Sequence, residues 1–219
     1  MPTHNRRRFV PRSIVYFQRQ DYPNRELIIL DDGSDPVRDL VPDDPRIRYH
    51  YIDRKRTVGY KRNLACQAAA GEVTLHWDDD DWATNWRVSY QVDSLISTQS
   101  EICGLDRIFF YDLDGTQAWE YVYKGKGNWV YGGTLCYTME YWSCNPFPDL
   151  DIGEDNHFVL KDDAAKVLRL ADNRFYLGLI HSGNTSRKRT FGSAWRPVPM
   201  EVIQGMLEVD KSFYIPEPG

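Results

Sequence analysis

The chain of 219 residues reads as an α/β domain with a mostly parallel sheet, because short apolar runs alternate with segments of helical spacing through its first half. Two of those runs carry the prediction. Glu26-Leu27-Ile28-Ile29-Leu30 closes on Asp31-Asp32-Gly33-Ser34, and Val73-Thr74-Leu75-His76-Trp77 closes on Asp78-Asp79-Asp80-Asp81-Trp82. Each is an apolar stretch that surfaces in a polar turn, as a buried strand does. In a parallel sheet such turns gather at the carboxyl ends of the strands, where the loops carry the chemistry.

The remaining elements come in chain order. Ser13 is suited to cap a helix running to about Arg19, with Pro23 marking its exit. Over 46–52, Ile47, Tyr49 and Tyr51 alternate with Arg46, Arg48 and His50, a strand pattern. Leu64, Ala65, Ala68 and Ala69 recur at helical spacing within 58–70, and Gly71 is the expected stop. Trp86, Val88, Val92, Leu95 and Ile96 predict another helix. Residues 102–111 and 117–123 predict a hairpin about Asp114-Gly115. Beyond about residue 125 the pattern loosens. A helix over 154–161, strands over 167–170 and 175–180, and a helix over 198–209 with Pro216 and Pro218 past its end complete the expectation. With 42% hydrophobic residues and no linker or repeat, one domain spanning 1–219 is expected.

Composition removes several functions. A net charge of -5 leaves no electrostatic footprint for nucleic acid, although Arg6-Arg7-Arg8 and Arg187-Lys188-Arg189 are local basic clusters. No stretch has the roughly 18 to 20 continuous apolar residues of a transmembrane segment. Cys66, Cys103, Cys136 and Cys144 form no CxxC pair, which points to a reducing cytoplasm and leaves peripheral attachment at the inner face of a membrane open. The oligomeric state is not legible.

The run of four carboxylates is the most informative stretch. Adjacent carboxylates repel, so a cluster set where an apolar run surfaces calls for a hard divalent cation, unless it is a solvated acidic loop. The flanking Trp77 and Trp82 argue against the loop. As a strand, the run would point Asp78 and Asp80 the same way.

Five motifs taken in order, Pro2-Thr3-His4-Asn5-Arg6, Asp31-Asp32-Gly33-Ser34, Gly59 through Arg62-Asn63, Asp78–Asp81 and Gly153-Glu154-Asp155, resemble the inverting glycosyltransferases of family two, over about residues 1–185. The resemblance implies a GT-A fold, a Rossmann-like nucleotide-binding single domain. Its nucleotide-binding half would span about 1–100, its acceptor-binding half about 101–185, and a C-terminal tail 186–219. It implies that Thr3, Asn5, Arg6, Asp32, Arg62 and Asp79 contact the nucleotide of a UDP-sugar donor, His4 standing where the family has tyrosine. Asp78 and Asp80 would hold Mn²⁺ or Mg²⁺, and His181 is either a further ligand or a structural histidine. Asp155 would be the catalytic base. Glu154, Trp129 and Gly133 would face a glycan, lipid-linked or small-molecule acceptor, with Trp119, Tyr131 and Trp142 in the same wall. Asp81 would instead cap the following helix.

The chemistry supports that division of labour. Departure of a nucleoside diphosphate builds charge on the leaving oxygen, which a divalent ion stabilises. The acceptor hydroxyl has a very high pKa, so a carboxylate must take its proton during attack. The family's processive members carry a QxxRW motif, absent from this sequence.

The resemblance also implies an apolar strand before Pro2-Thr3, so the first strand is expected to be truncated. Two other readings compete. A haloacid dehalogenase type phosphohydrolase shares the strand-DxD pattern, but Trp82 stands where that class has threonine or valine. A non-catalytic sugar-nucleotide-binding module would keep the fold without turnover. An EF-hand is excluded by Ala83 at the position of its glycine.

Overall fold

Residues 1–114, 117–162 and 164–215 are described by the computed structural model. The first half begins with a parallel three-stranded sheet of β1 (Pro2–Thr3), β2 (Leu27–Asp31) and β3 (Ile47–Tyr51), in that order. Thr3 sits opposite Asp31, and Leu27 opposite Ile47. Every residue of β2 is buried, which is why it reads as a continuous apolar run rather than an alternation. Between β1 and β2 lies α1 (Val10–Gln18), whose Val10, Ile14 and Phe17 pack on the sheet. Ser13 does not cap this helix. Pro11, which has no amide hydrogen to lose, sits in its first turn, and Ser13 is buried one turn in, where its hydroxyl donates to the Asp78 carbonyl at 3.1 Å. The helix ends at Gln18, with Arg19 as its C-cap, as the sequence predicts.

Next come α2 (Val58–Ala68), capped by the Thr57 hydroxyl, then β4 (Val73–Leu75), β5 (Trp82–Ala83) and α3 (Arg87–Ser97). The buried face of α2 is not the predicted alanine stripe. It consists of Gly59, Lys61, Arg62 and Cys66, because this helix covers a polar site rather than a core. The acidic run is a bend between β4 and β5, not a strand, so its side chains do not alternate in direction.

The second half adds β6 (Ile102–Gly104), β7 (Arg107–Asp112), β8 (Gln117–Val122), β9 (Cys136–Thr138), α4 (Met139–Cys144), α5 (Glu154–Val159), β10 (Val167–Arg169), β11 (Tyr176–Ile180), β12 (Trp195–Pro197), α6 (Met200–Leu207) and α7 (Lys211–Tyr214). β7 and β8 pair as the expected antiparallel hairpin, though Gly115 of its turn lies outside the described residues, as do Pro216 and Pro218. The strands order as β10-β6-β9-β4 and β12-β8-β7-β11-β5. The first sheet is parallel throughout, whereas the other two mix parallel pairs, β10 with β6 and β11 with β7, with antiparallel ones, and the fold is mixed α/β overall.

Within the segment past residue 186, residues 203–214 return to the main core. Ile203, Leu207 and Tyr214 are buried there, and Asp210 accepts from Arg19 and from the Trp82 indole. None of the helices described is long and apolar enough to cross a membrane.

Candidate active site

The end of β1, the bend after β4, the turn before β9 and the start of α5 line a cavity of about 710 Å³. Thr3, Arg6, Arg62 and Asp78–Asp81 line one side, and Trp129, Gly133, Glu154 and Asp155 line the other. Asn5, Asp32 and His181 stand behind that surface.

On the first side the strand tips are tied by a buried network. The Asp32 side chain is fully buried; its Oδ1 accepts from Lys61 Nζ at 2.8 Å and pairs with His4 Nδ1 at 2.9 Å, and its Oδ2 accepts from the Arg56 amide at 2.7 Å. Burial works against its charge, but these donors hold its pKa below the usual carboxylate value. Lys61 also donates to the Thr3 carbonyl, so one ammonium joins β1 to β2 at the cavity edge. Asn5 takes a left-handed conformation (φ 55°) and accepts from Ser34 and the Asp35 amide, a turn-holding role.

The four aspartates differ sharply. Asp78 lies 3.6 Å from Arg62, yet burial keeps its pKa raised. Burial and the adjacent Asp80 charge push Asp79 up to about 7. Asp80 Oδ2 receives Arg6 Nη1 at 3.0 Å and His181 Nε2 at 2.9 Å, with Asn184 beside them. Asp81 caps no helix: its Oδ1 accepts from the Leu179 amide at 2.8 Å and its Oδ2 from the Tyr176 hydroxyl, tying the bend to β11.

The second side is built on close approach. A Cβ on Gly132 would collide with the Asp155 carboxylate, and one on Gly133 would stand 2.9 Å from Asp78 Oδ2. Neighbouring glycines therefore let two carboxylates, Asp155 and Asp78, both press on one turn. Asp155 opens α5 after Gly153, whose φ of +82° favours glycine. Burial pushes Glu154 up to about 7 even though Arg62 lies 3.5 Å away. Burial likewise opposes the charge of Arg62, but Glu154, Asp78 and Asp155 around it keep the guanidinium protonated. The Trp129 indole donates to Asn156 at 2.6 Å and its ring stacks on Tyr123, so its other edge is offered to the cavity. Trp119 and Trp142 do not line the cavity; Trp142 bonds Asn63 instead.

Among the described residues no group of three acidic, histidine or cysteine side chains converges to hold a metal. A carboxylate oxygen and an imidazole nitrogen do converge at Asp80 and His181, the latter oriented by stacking on Phe9. A divalent ion held by one or two protein groups and completed by substrate phosphates fits such a pair.

Sequence reasoning missed several cavity residues, Lys61 and Trp195 among them. Lys61 sits on what reads as a surface turn of α2, and only its spacing one residue before Arg62 hints that both face inward. Trp195 reaches the cavity because β12 pairs with β8 and packs it on Phe110 and Tyr121. That pairing leaves no local signal.

Comparison with known proteins agrees with this architecture. The family model for glycosyl transferase family 2 matches residues 1–146. WcaA of Escherichia coli (strain K12), named as a colanic acid biosynthesis glycosyl transferase, is 41% identical over 91 residues, 39% of this chain and 33% of its own length. The GalNAc(5)-diNAcBac-PP-undecaprenol beta-1,3-glucosyltransferase of Campylobacter jejuni is 33% identical over 87 residues, 37% of this chain and 28% of its length. The chain thus spans about a third or less of these curated relatives. Among solved structures, S. aureus TarS 1-349 in complex with UDP-GlcNAc superposes with a TM-score of 0.66 at 17% identity, covering 99% of this chain and 66% of that one. The Pyrobaculum calidifontis mannosyltransferase PcManGT, in complex with GDP-Man and Mn²⁺, gives 0.63 at 16% identity, covering 82% and 55%. Both carry the GT-A fold expected from the sequence, and the dehalogenase reading falls with them. The match over two thirds of the residues, together with the strand-tip carboxylates that form the cavity, establishes that this chain belongs to glycosyl transferase family 2.

Proposed function

We propose that this domain is a metal-dependent inverting glycosyltransferase that moves a sugar from a nucleoside diphosphate donor, a UDP-sugar, to a hydroxyl acceptor. The observation that carries this reading is the meeting of Asp155 and Asp78 on adjacent glycines of one turn, which supports a base facing a diphosphate site across a single cavity. Asp155 takes the proton of the acceptor hydroxyl as its oxygen attacks the anomeric carbon. The bond to the diphosphate breaks on the opposite face, so configuration inverts without a covalent intermediate. Arg6 and Arg62, both cationic groups of the cavity wall, balance the phosphate charge. Mn²⁺ or Mg²⁺ would be held by Asp80 and His181, with Asp78 set apart against the Gly133 turn, and when bound it would supply Lewis-acid stabilisation of the leaving diphosphate. Thr3 and Asp79 would contact the ribose, and Asp32, Lys61 and His4 would support the base pocket.

Trp129, Glu154 and Gly133 form the acceptor wall; an aromatic face suits a sugar ring. The acceptor is a glycan, a lipid-linked or a small hydroxyl compound, and the relative from Campylobacter jejuni, whose name specifies an undecaprenol diphosphate acceptor, supports the lipid-linked class. We place the domain in the cytoplasm, working at the inner face of the membrane when the acceptor is lipid-linked, with residues 1–100 as the nucleotide-binding half and 101–185 as the acceptor half.

Calorimetric titration with UDP, with and without Mn²⁺ and with GDP and dTDP as controls, tests the reading. Metal-dependent binding selective for UDP is expected. Equal binding of all three nucleotides, or of none, would overturn the donor assignment.

A further inference from the structure

Arg87 is the largest fully buried side chain among the described residues and is 2% exposed, yet its hydrogen bonds go to neutral oxygens. Its Nη2 donates to the His76 carbonyl at 2.7 Å and to the Gly133 carbonyl at 2.8 Å, and its Nε donates to Gln91 Oε1 at 3.0 Å. Gln91, fully buried one helical turn on, passes its own amide to the Thr134 carbonyl at 2.7 Å. The guanidinium is held over the rings of Trp77 and Tyr176, at 5.0 and 5.1 Å. Burial works against the guanidinium's charge, and the nearby Asp78 and Asp81 carboxylates only partly offset it, so the charge is held at a cost that a hydrophobic residue filling the same space would avoid.

The position of these carbonyls says what the cost supports. His76 ends the segment that feeds Asp78–Asp81, and Gly133 belongs to the turn pressed by Asp78 on one side and, through Gly132, by Asp155 on the other. One guanidinium nitrogen therefore bridges the two walls of the cavity. His76 Nδ1 to the Gly132 carbonyl (2.6 Å) and Leu105 amide to the Thr134 hydroxyl (3.0 Å) hold the turn as well, but neither reaches α3.

We propose that Arg87, seconded by Gln91, is a positioning residue of the transfer reaction, fixing the Gly132–Thr134 turn against the acidic bend and so setting the span between the donor-side carboxylates and Asp155. The proposal rests on Asp155 and the acidic cluster being the reacting groups proposed above. It separates positioning from binding: lysine keeps the charge but lacks the Nε donor that ties Arg87 to Gln91 and the planar group held over Trp77 and Tyr176, so its ammonium is not oriented toward the two carbonyls.

The test compares wild type with Arg87→Lys and Gln91→Met, reading kcat, UDP affinity in Mn²⁺, the ratio of donor hydrolysis to transfer, and a crystal structure of each variant. For Arg87→Lys, kcat for transfer should fall about 100-fold, as for a misplacement near 1 Å. UDP affinity should change less than about threefold, and hydrolysis should rise relative to transfer because water needs less alignment than a sugar hydroxyl. Gln91→Met should lose about tenfold in kcat with the same split, and decides the matter if Arg87→Lys does not fold. Retained kcat in a folded variant, or UDP affinity falling in step with kcat, would overturn the proposal. A wild type that binds UDP and transfers nothing would instead defeat the functional reading; in that case an unshifted Gly132–Thr134 turn in the variant crystals sinks the positioning role, and a shifted turn upholds it.

Discussion

The two walls of the cavity are held by different physics. On the nucleotide side the residues sit at strand ends within a parallel sheet, and a buried ion pair, Lys61 with Asp32, locks β1 to β2. On the acceptor side Asp155, Glu154 and Trp129 sit on a six-residue helix and an irregular turn, kept in place by glycine contacts and by α3 behind them. The first wall is a product of backbone pairing, the second of packing. Damage to the first should therefore appear as lost stability or nucleotide affinity, and damage to the second as lost turnover.

The sharpest test of that contrast is Asp155→Asn, which should lower transfer by about 10³- to 10⁴-fold while UDP affinity stays unchanged, because it removes the proposed base and leaves the proposed diphosphate side intact. Steady-state kinetics with parallel calorimetry checks it; normal turnover would break the comparison outright. Lys61→Met should act on the other wall and by another route. It strands a buried carboxylate, so unfolding in denaturant should show a loss of about 3 to 5 kcal/mol. A loss under about 1 kcal/mol would mean that His4 and the Arg56 amide alone suffice for Asp32.

Asp80→Ala should weaken metal-dependent UDP binding by about 100-fold and leave metal-free binding alone, measured by titration with Mn²⁺ varied. An unaltered Mn²⁺ requirement would take Asp80 out of the site. The smallest effect belongs to Glu154. Its carboxyl, ordinarily near 4.5, is raised to about 7 in the fold, so the native state holds the proton more tightly than the unfolded chain. That contribution is fully present below pH 4.5 and disappears as pH rises through 7. Thermal melts of wild type against Glu154→Gln should diverge across this window by on the order of 1 to 2 kcal/mol, with the wild type losing stability as pH rises. Parallel pH profiles would show that Arg62 cancels the burial.

Much of the nucleotide wall is legible in the sequence because its signals are local. An apolar run that stops at Asp31-Asp32-Gly33, or at four aspartates, announces a buried strand and the turn at its tip without reference to anything distant. The hairpin of β7 and β8 is legible for the same reason, as is the helix α3. The failures have a common source as well. Ser13 reads as a cap because its neighbours permit one, but the core beneath α1 selects an earlier start at Phe9. Asp81 reads as a cap for the next helix, yet Tyr176 and Leu179, almost a hundred residues on, offer it better partners. In α2 the alanines suggest the buried face, while the helix turns Lys61 and Arg62 inward because buried carboxylates wait there.

By itself, then, the sequence determined the α/β class, the strand-tip carboxylates and the family, since each depends on residues within one or two turns of chain. Tertiary structure alone decided that Gly132 and Gly133 bring Asp155 and Asp78 to one turn, that Trp195 enters the cavity from β12, and that Arg87 reaches both walls from α3. Those meetings join segments tens of residues apart, and what selects them is the fit of buried polar groups to one another, a property of the packed molecule that no local pattern carries.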